Sequence, residues 1–156
     1  MTTYLVLKWI HILSSVLMVG TGFGSAFYLW CTQRTGNVSA IAVVARLVVK
    51  ADNAFTLPAA LIQPATGFSM ALIAGYSLHQ TWLLASVMLY LIAGLSWLPV
   101  LYLQLRMAAL AEEAALHGQS LPASYWRDAR HWTWLGAIGF SSMLAIYGLM
   151  VFKPGG

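Results

Sequence analysis

A histidine at position 11 sits in an apolar segment long enough to cross a bilayer, in the run Leu7-Lys8-Trp9-Ile10-His11-Ile12-Leu13-Ser14-Ser15. An ionisable side chain in hydrocarbon costs about 2.5 kcal/mol or more on insertion scales, so it usually faces a partner, a cofactor or a water-filled cavity. Two uses fit His11: ligation of a metal or haem iron, or a hydrogen bond that glues neighbouring helices. Ser14, Ser15, Met18, Gly22 and Ser25 follow at helical spacing. That face reads as a slot for a flat macrocycle or for a packed helix. Gly20 and Gly24 form a GxxxG pair, read first as close helix packing, and they permit a homodimer.

Depth along a helix follows from a rise of about 1.5 Å per residue, which places His11 roughly 12 Å below the nearer surface. Counting inward on three further apolar segments brings Met70, Met88 and Met143 to the same level. Imidazole with thioether is a ligand pair for haem iron and suits Cu(I), whereas a lone Met is commonly an adaptable filler of the core. His79, in the turn Gly75 to Gln80, is a second candidate axial ligand or an interfacial loop residue. His117 and His131 lie near helix ends on the opposite side and read as capping or solvated groups. Arg46, Lys50, Asp52 and Asn53 cluster before a proline-containing segment, and Asp52 reads first as half of an ion pair that fixes that segment. The alternative for Asp52 is a proton or substrate role.

The elements that must hold these residues are helices in a membrane. Apolar residues make up 60% of 156 positions and charged ones 8%. This composition excludes an ordinary soluble globule and predicts an all-α integral membrane protein, a four-helix bundle forming a single domain over residues 1–156. The spans fall at about 3–29, 54–76, 81–105 and 133–152. Residues 38–52 form a half-polar helix at the membrane surface, and Pro58, Pro64 and Gly67 kink the second span, which either shapes a pocket or only bends the bundle. The third span continues through the helix formers Met107 to Leu116 and stops at His117-Gly118.

One cysteine, Cys31, rules out an intramolecular disulfide and a cysteine-built metal cage. The net charge of +4 gives no support to nucleic acid binding, because it is what membrane orientation alone produces. Six of the eight basic residues fall in segments 32–51 and 105–130, against Lys8 and Lys153 on the other side. The positive-inside rule then puts the helix extensions in the cytoplasm and both termini outside the bacterial inner membrane.

Lys8-x-x-His11, Asp52-x-x-Phe55-Thr56-x-Pro58, Gln63-Pro64-x-Thr66-Gly67, Trp97-x-Pro99 and Gln104-x-Arg106-Met107 together resemble a bacterial four-span integral membrane family of unknown function. That family is distantly similar to copper-resistance protein D and to the small membrane protoporphyrinogen oxidases, where a first-span His in a Lys-x-x-His context goes with b-type haem. The resemblance implies haem b on His11, with Met70, Met88 or His79 opposite and Ser15 and Gly22 along the slot. It also implies an electron-transfer or redox-sensing role with a redox partner or quinone. Porphyrinogen oxidation is not expected, since residues 81–105 lack the lysine those oxidases carry in the third span. A cofactor-free scaffold and a small metal or small-molecule transporter are the competing classes.

The charge split generates a topology prediction. In right-side-out spheroplasts an impermeant maleimide should miss Cys31 and label a Lys153→Cys variant. The reverse pattern contradicts the orientation.

Overall fold

The computed structural model describes residues 1–154, and among them every regular element is helical. Helix α1 spans Thr2–Arg34, α2 Val38–Ala51, α3 Leu57–Ile73, α4 Thr81–Leu116 and α5 Ala123–Phe152, with a π-helical turn at Asp52–Thr56. The first break is made by Gly36, held at φ +68, after which the Asn37 side chain accepts a hydrogen bond from the Ala40 amide at 3.0 Å and caps α2. A glycine at positive φ, Gly118, likewise closes α4.

Helices α1, α4 and α5 are each long and apolar enough to cross a membrane, and α3 is a shorter helix of 17 residues. Leu5, Trp9, Val16, Phe27, Leu95 and Trp134 are among their many outward-facing apolar side chains, as a lipid-facing surface requires. Toward the termini the packing is sparse. At the other end Leu29, Ile41, Ala45, Val48, Met107, Ala111, Tyr125 and Trp132 form the largest core. The helix over residues 38–52 packs into this core along one face. It buries Ile41, Ala42, Ala45 and Val48 and runs through the π-turn into α3 without leaving helical geometry. The spacing of its Val and Ala residues turns that face toward α1 and α4.

Charge pairs decorate this end. Arg46 bonds to Glu112 between α2 and α4, and Arg106 Nε stands 3.0 Å from the buried Asp128 carboxylate between α4 and α5. Tyr125, fully buried, accepts a bond from Gln33 at 2.9 Å and ties α1 to α5.

Two prolines set the course of the second rod. Pro58 contributes no N–H near the π-turn, where the Leu57 amide reaches back to the Asp52 carbonyl across five residues. Pro64 leaves the Ala60 carbonyl without its in-helix donor, and the Tyr90 hydroxyl of α4 donates to that oxygen. This bond crosses a seam at which the α3 and α4 backbones do not otherwise approach closely.

Tyr90→Phe should accordingly lower unfolding free energy by about 1–3 kcal/mol, the cost of a buried carbonyl left unpaired. Denaturant unfolding in detergent micelles measures it. Unchanged stability would show that the proline-freed carbonyl needs no partner from α4.

Candidate functional site

Two polar clusters occur within the apolar part of the molecule. The first surrounds His11. Its ring Nδ1 lies 2.8 Å from the Thr66 hydroxyl of α3, and its backbone carbonyl accepts a bond from Gln63 Nε2 at 2.6 Å. The same Gln63 amide reaches the buried Ser14 hydroxyl at 2.6 Å. Gly67 makes room for the imidazole: a Cβ there would stand 3.3 Å from His11 Cε1. Gln63, Thr66 and Gly67 thus form one face of α3 that clasps one face of α1. The Thr66 hydroxyl also lies 2.8 Å from the Ile62 carbonyl. If its single proton goes there, Thr66 accepts from His11 Nδ1–H, and Nε2 is left as an unprotonated lone pair.

The other residues expected near His11 are dispersed. Met70 is half-buried one turn beyond Thr66, Met88 is exposed on α4, and His79 is exposed in the turn between α3 and α4. None of the three hydrogen-bonds to His11. Ser15 donates to the Ile12 carbonyl of its own helix at 2.8 Å, while its carbonyl accepts from Tyr147 of α5 at 3.2 Å. Gly22 and Met143 belong to the second cluster, described next. Among the described residues no group of three His, Cys, Asp or Glu side chains is arranged to hold a metal ion.

The second cluster centres on Asp52. Helices α1 and α5 barely touch along their apolar lengths, and the seam between them opens into a groove with a cavity of about 400 Å³. Its walls include Phe23, Phe27, Trp30, Trp97, Trp132 and Phe140. Asp52 is the only charged residue lining it. The carboxylate is 3% exposed, and both oxygens accept hydrogen bonds, Oδ1 from Thr56 and Oδ2 from Gln104 of α4, each at 2.8 Å. The π-turn positions the first pair, because it carries Asp52 and Thr56 together on the inner face of the rod while Asn53, Ala54 and Phe55 stay outside.

The expected ion pair at Asp52 is not formed. Arg46 is engaged by Glu112, Lys50 is exposed, and no Lys or Arg of the described residues lies within 4.0 Å of the Asp52 carboxylate. A buried charge that lacks a cation carries a desolvation cost of several kcal/mol, which two neutral donors offset only in part. On the same wall the indole N–H of buried Trp132 has no hydrogen-bond partner. Asp52 without a cation and Trp132 without an acceptor thus line one groove, while the other buried side-chain atom lacking a hydrogen bond among the described residues, Asp128 Oδ2, lies outside it beside Arg106. Gln104, the partner of Asp52 on α4, belongs to the Gln104-x-Arg106-Met107 motif, but nothing in the sequence linked that motif to Asp52.

The family model described as predicted integral membrane protein (DUF2269) matches residues 5–154. The chain belongs to the DUF2269 family. No curated protein and no solved structure matches it significantly. The comparisons give no support to a likeness with copper-resistance protein D or the porphyrinogen oxidases. In this DUF2269 member, the Gln63-Pro64-x-Thr66-Gly67 run is the partner face of His11, and Asp52-x-x-x-Thr56 is the floor of the groove.

Thr66→Val keeps the side-chain volume and removes the partner of His11. It should destabilise the protein by about 1–3 kcal/mol in detergent. Gly67→Leu, which drives a bulky group into the imidazole, should cost more. If both variants unfold like wild type, the α1–α3 clasp has been misread.

Proposed function

We propose that this protein is a membrane-embedded binding protein for a small lipophilic molecule, which enters sideways from the bilayer between α1 and α5 and presents its polar end to Asp52. One observation carries the reading: a buried carboxylate, with no cation beside it, on the wall of an otherwise apolar and aromatic groove. The volume suits such a ligand, since small-molecule sites run from about 300 to 1,000 Å³ with predominantly apolar walls and a few fixed polar groups. The lining extends from Trp132 to Met143 along α5, about 16 Å of helix, so a ligand can lie along the seam with its head toward the charged end. The six-to-two split of basic residues supports a cytoplasmic position for that end and four crossings in a bacterial inner membrane. With that orientation, Asp52 sits near the cytoplasmic edge of the hydrocarbon.

Haem b on His11, with electron transfer or redox sensing, is a second reading, and the Thr66 contact favours it. A hydroxyl that accepts from Nδ1–H fixes the ring and leaves Nε2 for iron, as the outer partners of metal-bound histidines do. The fit is incomplete, because Met88 and His79 are exposed and His11 is not among the groove residues. Protein prepared with ample haem should show a Soret band that His11→Ala abolishes. A colourless preparation after haem reconstitution ends this reading and leaves the groove reading untouched.

The groove reading has its own test. Gly136 lines the seam with nothing within 4 Å of its Cβ position, so Gly136→Phe adds bulk at the groove wall with no clash at Cβ. In nanodiscs, the neutral probe N-phenyl-1-naphthylamine should quench the protein's tryptophan emission saturably, after subtraction of empty discs. Gly136→Phe should weaken this at least tenfold, and Gly20→Phe, outside the groove, should not. Equal binding by all three proteins would overturn the proposal.

A further inference from the structure

From the charge on the groove wall, and resting on the groove reading above, we infer that the ligand class is lipophilic organic cations, amines or quaternary onium ions with apolar substituents. The argument is one of complementarity. Asp52 is the sole charged lining residue, its oxygens already accept from Thr56 and Gln104, and every nearby cation is engaged elsewhere or turned to solvent. A quinone carbonyl would bring a third acceptor toward two oxygens that already accept hydrogen bonds. An ammonium or other onium centre supplies the missing charge instead.

The aromatic walls fit the same ligand. Trp97, Trp132, Phe23, Phe27 and Phe140 line the groove that holds the carboxylate, and ring faces attract cations most strongly where water is excluded. The protein already shows this contact at the charged end of the groove: the Arg34 guanidinium stands 3.8 Å from the ring centre of Trp30, another lining residue. Phe23 and Phe140 stack across the seam with centroids 4.9 Å apart, so a ligand parting α1 from α5 would exchange this ring pair for contacts with its own apolar groups. Ammonium recognition by an aromatic wall together with one carboxylate needs no donor from the protein, and the groove offers few. Its polar side chains besides Asp52 are Thr56, Ser96, Gln104 and Thr133, with the indoles of Trp30, Trp97 and Trp132.

The experiment uses two probes of nearly equal shape and opposite charge, tetraphenylphosphonium and tetraphenylborate, with the neutral naphthylamine probe as reference. Binding is measured in nanodiscs against empty discs. Wild type should bind the phosphonium saturably and at least tenfold more tightly than the borate. Asp52→Asn should lose at least tenfold in phosphonium affinity and keep its affinity for the neutral probe within twofold. Gly136→Phe should lose both ligands. If phosphonium and borate bind alike, or Asp52→Asn binds phosphonium as wild type does, the cation class is wrong although the groove still binds ligands. If Gly136→Phe leaves all binding unchanged, the groove reading itself falls and this inference falls with it.

Discussion

In a bilayer the backbone has no water to bond with, and the helix from Val38 to Ile73 must accommodate two prolines under that constraint. Each removes an N–H, and the structure answers the two losses differently. At Pro64 the freed Ala60 carbonyl is met by Tyr90 from another helix, which joins α3 to α4 where their backbones stay apart. Near Pro58 the helix widens into a π-turn instead. Such widenings are frequent at functional sites because they re-aim side chains that regular helix would place elsewhere. Here the turn carries Asp52 inward beside Thr56, and Gln104 completes the set.

The two polar clusters differ in how complete they are. Around His11, Ser14, Gln63 and Thr66 satisfy one another between α1 and α3, and Gly67 admits the ring. That arrangement holds two helices together and leaves one ring nitrogen over. Around Asp52 the polar partners supply hydrogen bonds without charge, and the space beyond them is wide enough for a ligand. A protein that kept Asp52 only for stability would do better with a cation beside it or with an apolar residue in its place. The incomplete site is therefore the functional candidate.

Much of the architecture was legible in the sequence because local signals set it. Gly36-Asn37 and His117-Gly118 end helices where turn chemistry puts them, and the helix formers Met107 to Leu116 carry α4 beyond its apolar stretch. What escaped depends on direction around a helix axis or on partners far along the chain. Counting residues put Met88 at the height of His11 but said nothing of its azimuth, and it faces outward. The same limit hid which protein helices the apolar face of the 38–52 helix meets, since apolar spacing suits either lipid or protein. Asp52 was visible as the acid nearest to hydrocarbon, and Arg46 and Lys50 close by in sequence suggested a pair. Arg46 instead reaches Glu112, and the partner of Asp52 is Gln104, 52 residues away. The groove had no sequence signature, since it arises from two helices failing to touch.

The central claim is that Asp52 can be reached from the lipid and not from water. Carbodiimides that differ in solubility measure this directly, with the modified residue located by peptide mass spectrometry. Dicyclohexylcarbodiimide, which dissolves in the bilayer and adds to the protonated carboxyl, should modify Asp52 in intact membranes at mildly acidic pH, and a water-soluble carbodiimide should not. Asp128, equally buried but held by Arg106, should resist both reagents. Modification of Asp52 from the aqueous side alone, or its inertness to the lipid-soluble reagent, would contradict the account.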